Sequence, residues 1–247
     1  MECCDFSNNK LYFIHIPKTS GSSINKCKAL ENLGHCFNVP NVYRTPCSKK
    51  GLAGWKTDYF PLCKSLPLKR HILTIIRNPF DMLASYYHHR NPPKLNNNTY
   101  NESGWGAVNY KHNFQSFKEF IKAYCDINFE WHVPALHKFL YSQLFDTNGK
   151  CVADIIMKYE FRSEGINILN KKLHPTKQIP STKHKNKGQH NKNYKEYYDK
   201  EMIKLVEKKC SRELKYFNYN FNGSTNKDIF IFNCNIKYDL ATDKIIE

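Results

Sequence analysis

The 247-residue chain has no apolar run of the roughly 18 to 20 residues that a membrane-spanning helix needs. It also has no C-x-x-C pair, so the common zinc and redox motifs built on that spacing are excluded. Its ten cysteines are therefore expected to be mostly reduced and buried. With 40% hydrophobic and 14% aromatic residues, the chain is too apolar to stay unfolded, and we expect a soluble globular protein.

Arginine is scarce, at six residues against 32 lysines. The net charge of +16 indicates a polyanionic partner, such as a nucleotide, an acidic glycan or nucleic acid. AT-rich coding is the alternative explanation, because it would also produce many lysines and the 27 asparagines. The charge alone leaves its cause open, and the few arginines are the more informative cations.

The first five residues are acidic overall and are not followed by the apolar core of a secretory signal. As given, the chain therefore carries neither an export signal nor a membrane anchor. A cytoplasmic location is the expectation from this pattern.

An apolar run at residues 11–16 predicts a buried strand that ends at a proline, and residues 24–33 predict a helix. The loop between them is rich in hydroxyl groups. Such a loop presents backbone N–H groups and the positive end of a helix dipole to an anion, for which phosphate is the natural ligand. An ordinary polar turn is the alternative. The candidate residues are Pro17, Lys18, Thr19, Ser20, Gly21, Ser22 and Ser23.

A second apolar run, residues 72–76, is typical of a central strand in a parallel sheet. Arg77 follows it directly. Asn78 can then cap a helix that has Pro79 in its first position and continues over residues 80–89. Arg77 is thereby placed at the carboxyl end of the strand, where open α/β sheets bind ligands.

Ser85 lies about two turns into this second helix, on a face that can look back toward the strand end. Arg77 and Ser85 could then contact one phosphate. The alternatives are an ion pair between Arg77 and Asp81 and a packing role for Ser85. If the two strands are neighbours, both candidate anion sites meet at one sheet edge and suit a ligand with phosphate at two ends.

The remaining pattern alternates strands and helices, which favours a single α/β domain over residues 1–247 with a central, mostly parallel sheet and helices on both faces. The core is expected over about 11–220, followed by a C-terminal extension over 221–247. Further predicted elements are an insertion loop at 92–113, helices at 114–125, 132–141, 163–173 and 194–214, a strand at 152–159, a mobile basic loop at 174–193 and a strand pair at 228–232 and 236–238.

Two segments, residues 13–23 and 75–87, resemble the two cofactor signatures of sulfotransferases that use 3′-phosphoadenosine 5′-phosphosulfate (PAPS). The resemblance is closest to carbohydrate O-sulfotransferases. It extends to Ser142-Gln143 and to residues 155–160 and 191–198, and so covers roughly residues 11–220 in the expected order. It implies a P-loop-containing nucleotide hydrolase-like sulfotransferase fold.

The same resemblance implies transfer of a sulfuryl group from PAPS to a hydroxyl acceptor, on a carbohydrate, with adenosine 3′,5′-bisphosphate as product and no metal. Lys18 would stabilise the leaving 5′-phosphate, and Arg77 with Ser85 would bind the 3′-phosphate. Lys187 or Lys192 of the basic loop would close over the cofactor. Related eukaryotic enzymes are often anchored in the Golgi, so the Golgi lumen is the alternative location if the chain is a truncated form.

The general base is left open by the sequence. Several relatives have a histidine after a glycine before the second signature, whereas this chain has Trp55 after Gly54. Trp55 could stack on the acceptor or pack in the core. Glu160 could serve the site or a structural ion pair. The candidate bases are Asp58, His35, His88 and His89.

Two other functions compete with sulfuryl transfer. A P-loop nucleotide kinase or NTPase would need G-x-x-x-x-G-K-[ST], which the chain lacks. A basic, non-catalytic module for glycans or nucleic acid is supported by the net charge alone, and a nucleic-acid partner is not expected. Adenosine 3′,5′-bisphosphate binding without Mg²⁺ distinguishes the sulfotransferase from both.

Overall fold

A computed structural model describes just under half of the chain, and the fold is an α/β arrangement in which helices flank a mixed β-sheet. Within the described residues, no helix is long and apolar enough to cross a membrane. The residues described are 10–14, 16, 18–19, 24, 30–32, 70–90, 114–126, 128, 141, 144, 150–171, 178–179, 193–232, 237–239 and 244–246.

The strands of the main sheet are β1 (Lys10–Ile14), β2 (Leu30–Asn32), β3 (Arg70–Ile76), β4 (Ile155–Lys158) and β7 (Phe230–Phe232). Their order across the sheet is β2-β1-β3-β4-β7. The first four are parallel to one another and β7 is antiparallel. Because β1 and β3 pair directly, with Phe13 opposite Leu73, their carboxyl ends lie side by side.

Helices cover both faces of this sheet, as the alternating pattern predicts. Among the helices with described bounds, four pack against Ile76 and Ile156 on one face, and one packs against Ile75 and Ile155 on the other. This alternation follows from the two-residue period of a strand. The helices are α1 (Pro79–Arg90), α2 (Phe117–Cys125), α4 (Lys200–Lys209) and α5 (Ser211–Tyr216) on the first face, and α3 (Arg162–Asn170) on the second.

The start of α1 agrees with the sequence. Asn78 accepts a hydrogen bond from the Phe80 N–H through its side-chain oxygen at 3.0 Å, and Pro79 is the first helical residue. Helix α2 begins later than predicted because Ser116 caps it, accepting from the Glu119 N–H at 3.1 Å. In both cases a side-chain oxygen satisfies an N–H that the first helical turn leaves without a partner.

The predicted helix over residues 24–33 is wrong at its end. Ile24 is helical and buried, but Leu30–Asn32 form β2, which pairs in parallel with β1. A parallel pair needs a crossover of about a dozen residues, and residues 15–29 provide that length. Backbone pairing with the free edge of β1 therefore overrides the local helix propensity.

The predicted long helix over 194–214 is interrupted. A short 3₁₀ turn spans Tyr194–Tyr197, and α4 starts only after Asp199. The Asp199 carboxylate accepts from the Met202 N–H at 2.9 Å, so it caps a new helix rather than continuing the preceding turn. A second break at Cys210 separates α4 from α5.

Both strands predicted near the C-terminus are present, but the prediction that they pair with each other is wrong. The strand Phe230–Phe232 joins the main sheet beside β4, and β8 (Lys237–Asp239) pairs instead with β9 (Lys244–Ile246). The expected extension thus contributes a strand of the main sheet. A further small hairpin joins β5 (Tyr219–Asn220) to β6 (Gly223–Ser224).

The expected basic loop is anchored where the structure describes it. Ile179 is buried, and its backbone N–H and C=O both bond to the Asn170 side chain at 2.8 Å. The insertion at 92–113 and the predicted helix at 132–141, apart from Tyr141, lie outside the described residues.

Gly165→Ala is expected to destabilise the fold. A methyl group there would collide with the Met157 sulfur and lie 3.1 Å from the Ile229 Cγ2 atom, between α3 and β4. Overpacking of this kind costs about 1–3 kcal/mol. Urea denaturation measures the loss, with Ser163→Ala on the exposed side of the same helix as control. Unchanged stability of Gly165→Ala would contradict this packing.

The Cys125 thiol is expected to react slowly in the folded protein. Burial raises its pKa from 9.0 to about 11, so the thiolate fraction at pH 8 is about a hundredfold smaller than in the unfolded chain. The folded state correspondingly loses stability as the pH rises from 9.0 toward about 11. Iodoacetamide labelling with peptide mass spectrometry, compared with labelling in urea, measures the difference, and equal rates would contradict it.

Candidate anion-binding site

Lys18 and Arg77 meet at the carboxyl edge of the parallel strands. Each follows one of two paired strands, β1 and β3, and the Arg77 Nη1 donates to the Lys18 carbonyl oxygen at 3.1 Å. The contact joins residues 59 positions apart. The structure thus brings together one residue from each predicted anion-binding segment.

The described part of the Lys18 loop has a distinctive backbone. Lys18 has a φ of 65°, in the left-handed region, which costs a non-glycine residue about 1–3 kcal/mol. Thr19 is buried, and its hydroxyl donates to the Ile16 carbonyl at 2.8 Å. The Thr19 hydroxyl proton is therefore engaged in holding the turn that follows the strand.

The Arg77 guanidinium is held on three sides. Its Nε and Nη2 donate to the two carboxylate oxygens of Asp81 at 2.6 and 2.7 Å, which is the ion pair that the sequence left open. Its Cζ lies 4.5 Å from the centre of the Tyr159 ring. Only 11% of the Arg77 side chain and 18% of the Asp81 side chain are exposed, so water screens the pair weakly.

Glu160 lies two residues after β4 and contacts Asn78, the residue that follows Arg77. Its carboxylate accepts from the Asn78 N–H and from the Tyr219 hydroxyl, both at 2.8 Å. It therefore joins the ends of β3 and β4 to the hairpin of β5 and β6. These are structural contacts, and their partners are not the cation that the sequence suggested.

Two buried tyrosines complete this support. Tyr141 donates its hydroxyl to the Arg77 carbonyl, as Tyr219 does to Glu160. Burial raises the pKa of both phenols well above the ordinary value, so they stay protonated and can donate. Neither residue could be identified from the sequence, because each reaches its partner from a distant segment and carries no local motif.

Lys158, the last residue of β4, is buried beside this network. Its ammonium donates to the Ser224 hydroxyl at 2.9 Å and to the Asn226 side-chain oxygen at 2.6 Å. Its Nζ also lies 5.2 Å from the centre of the Tyr219 ring. Desolvation lowers the pKa of Lys158. Lys158 thus holds the hairpin of β5 and β6 in place rather than pairing with Glu160.

The other two described candidates lie on α1. Ser85 is buried and one turn after Asp81, so both side chains share a helix face. His88 lies about 13 Å along the helix from Pro79, at 1.5 Å per residue. Its ring packs 4.5 Å from that of Tyr197, among aromatic side chains and away from the sheet edge.

Several predicted site residues lie outside the described part and stay predictions. The structure also does not describe Trp55, the side chain of His89 or the segment Ser142-Gln143. The site residues concerned are Pro17, Ser20, Gly21, Ser22, Ser23, His35, Asp58, Lys187 and Lys192. In the described residues, no three His, Cys, Asp or Glu side chains are placed to hold a metal ion together.

Similarity to known proteins adds nothing to this geometry. No protein-family model, curated protein or solved structure matches the chain. The contacts of Lys18 and Arg77, and their chemistry, are therefore the basis for a functional proposal.

Proposed function

We propose that the chain is a sulfotransferase of the P-loop sulfotransferase fold, which transfers a sulfuryl group from PAPS to a hydroxyl group on a carbohydrate. One observation carries the proposal. The Lys18 loop and Arg77, which were each predicted to bind an anion, follow neighbouring parallel strands and touch through a 3.1 Å hydrogen bond. A ligand charged at two ends can contact both from one sheet edge.

The donor fits the hydrogen-bonding capacity of Arg77. A guanidinium has five N–H donors, and three of them are used by Asp81 and Lys18 among the described residues. One N–H on each terminal nitrogen is therefore left for the 3′-phosphate. Ser85 lies on the same face of α1 as Asp81 and would contribute its hydroxyl. Because plain adenine nucleotides lack that phosphate, this contact would select PAPS.

The Lys18 loop would bind the 5′-phosphosulfate end. As the sulfuryl group leaves, negative charge grows on the bridging oxygen of the phosphate, and the Lys18 ammonium would stabilise it. Sulfuryl transfer, like phosphoryl transfer, depends mainly on in-line positioning and on such charge stabilisation. Asp58, His35 and His89 remain the candidates for removing the acceptor proton, whereas His88 packs against Tyr197 away from the sheet edge.

Calorimetric titration with adenosine 3′,5′-bisphosphate in EDTA tests the proposal. We expect saturable binding at one site, tighter than that of AMP by at least about tenfold, because a charged hydrogen-bond pair is worth roughly 1.5–3 kcal/mol. A preference for ATP with Mg²⁺ would instead support a kinase, and binding of glycan or nucleic acid without either nucleotide would support a basic module. Both results would overturn the proposal.

The acceptor needs a separate assay. The chain is incubated with PAPS labelled in the sulfuryl group and with a panel of glycans and phenols. Label transfer to a glycan supports the carbohydrate acceptor. Transfer to phenols alone would retain the reaction and overturn that substrate class.

A further inference from the structure

We propose that Asp81 is a positioning residue that gives the site its preference for a 3′-phosphate, by holding the Arg77 guanidinium in one orientation. The inference rests on the proposed function and goes beyond it, because Asp81 would determine the donor specificity without touching the donor. The juxtaposition that carries it is the two-point contact between the Asp81 carboxylate and Arg77.

The Asp81 contact occupies one particular side of Arg77. Asp81 accepts from Nε and Nη2, which together form one lateral edge of the planar guanidinium. Parallel hydrogen bonds at 2.6 and 2.7 Å fix both the position and the rotation of the planar group. The unused donors, on the terminal nitrogens, are thereby given a constant direction.

Two other contacts limit how Arg77 can move. The Tyr159 ring covers one face of the guanidinium at 4.5 Å, and the Lys18 carbonyl accepts from Nη1. Among the described residues, these contacts leave the other face and the end of the group for an anion. Together Asp81, Tyr159 and Lys18 act as a clamp that leaves that end available.

Asp81 is itself rigidly held. It lies in the first turn of α1, whose start is fixed by the Asn78 cap and by the bond from the Asn78 N–H to Glu160. Ser85 follows one turn later on the same face. The helix thus carries the residue that orients Arg77 and the hydroxyl that would share the phosphate with it.

Asp81→Asn tests this role. The amide has one acceptor oxygen, and its NH₂ group cannot accept from the guanidinium, so the two-point contact is lost while the side-chain size is kept. Affinities for adenosine 3′,5′-bisphosphate and for AMP are measured in EDTA. We expect the ratio of the two affinities to fall at least tenfold in Asp81→Asn, with AMP binding changed less than threefold.

Asp199→Asn is the matched control. It removes the same charge from a pair with Lys118 that is about half exposed, and asparagine can still cap α4. The affinity ratio should be unchanged there. A ratio that stays at the wild-type value in Asp81→Asn, or that rises, would overturn the positioning role. A wild-type chain without preference for the 3′-phosphate would instead overturn the proposed function.

Tyr159 keeps the inference testable if Asp81→Asn does not fold, which circular dichroism and thermal melting reveal. Tyr159→Leu removes the aromatic face and leaves Asp81 intact, whereas Tyr159→Phe keeps the ring. The ratio should fall in the leucine variant and persist in the phenylalanine variant. Equal ratios in the two variants would contradict the clamp.

Discussion

If the chain is the proposed sulfotransferase, replacement of Lys18 by methionine is expected to lower the rate of sulfuryl transfer severely. Methionine keeps much of the length of the side chain and removes its charge, so the bridging oxygen of the donor loses its stabilisation as the bond to sulfur breaks. Loss of one such electrostatic contact lowers kcat by roughly 10²–10³-fold. Single-turnover transfer of labelled sulfuryl to the acceptor measures the loss.

Binding of the product distinguishes a catalytic role of Lys18 from a defect in folding. Adenosine 3′,5′-bisphosphate should still bind to Lys18→Met, because Arg77 and Ser85 are unchanged. Lys204→Met, on the exposed side of α4, is the control for the loss of one positive charge and should transfer at the wild-type rate. A Lys18→Met protein with near-normal turnover would remove the role assigned to this ammonium.

Arg77→Ala is expected to weaken donor binding and to destabilise the protein. Loss of charged hydrogen bonds to the 3′-phosphate should cost roughly 1.5–3 kcal/mol of binding free energy, or about 10- to 150-fold in Kd. The same change leaves the Asp81 carboxylate without its partner in a nearly buried position, which costs about 3 kcal/mol of folding stability. Calorimetric titration and urea denaturation measure the two effects separately.

Arg77→Lys and Arg212→Ala are the comparisons for this variant. Lysine restores the charge without the planar fork, so we expect partial recovery of stability and little recovery of affinity. Arg212 is exposed on α5, outside the proposed site, so its removal should leave the affinity for the donor unchanged. Wild-type affinity in a folded Arg77→Ala protein would mean that the 3′-phosphate binds elsewhere.

Local patterns sufficed for the two units on which the site is built. The apolar runs before Pro17 and Arg77 predict β1 and β3, and the Asn78-Pro79 pair predicts the start of α1. These features are readable because strand burial and helix capping depend on neighbouring residues. The ion pair of Arg77 with Asp81, four positions apart, was open to the same reasoning.

Pairing between distant segments was not readable in this way. Leu30–Asn32 became a strand because β1 offers a free edge, and Phe230–Phe232 joined β4 from 72 positions or more along the chain. Tyr141 and Tyr219 support the site across 64 and 59 positions. Such contacts depend on the assembled sheet, so the hydrophobic periodicity of a single segment does not predict them.

The sequence by itself determined that one strand is followed by a hydroxyl-rich loop that begins with a lysine, and that a second strand is followed by an arginine and a helix. Both features depend on side-chain chemistry and on the spacing of residues that are near each other in the sequence. Only the tertiary structure decided that these units lie beside each other and that Arg77 is clamped by Asp81, Tyr159 and the Lys18 carbonyl. The physical reason is that strand order and guanidinium orientation depend on hydrogen bonds and packing between residues far apart in sequence.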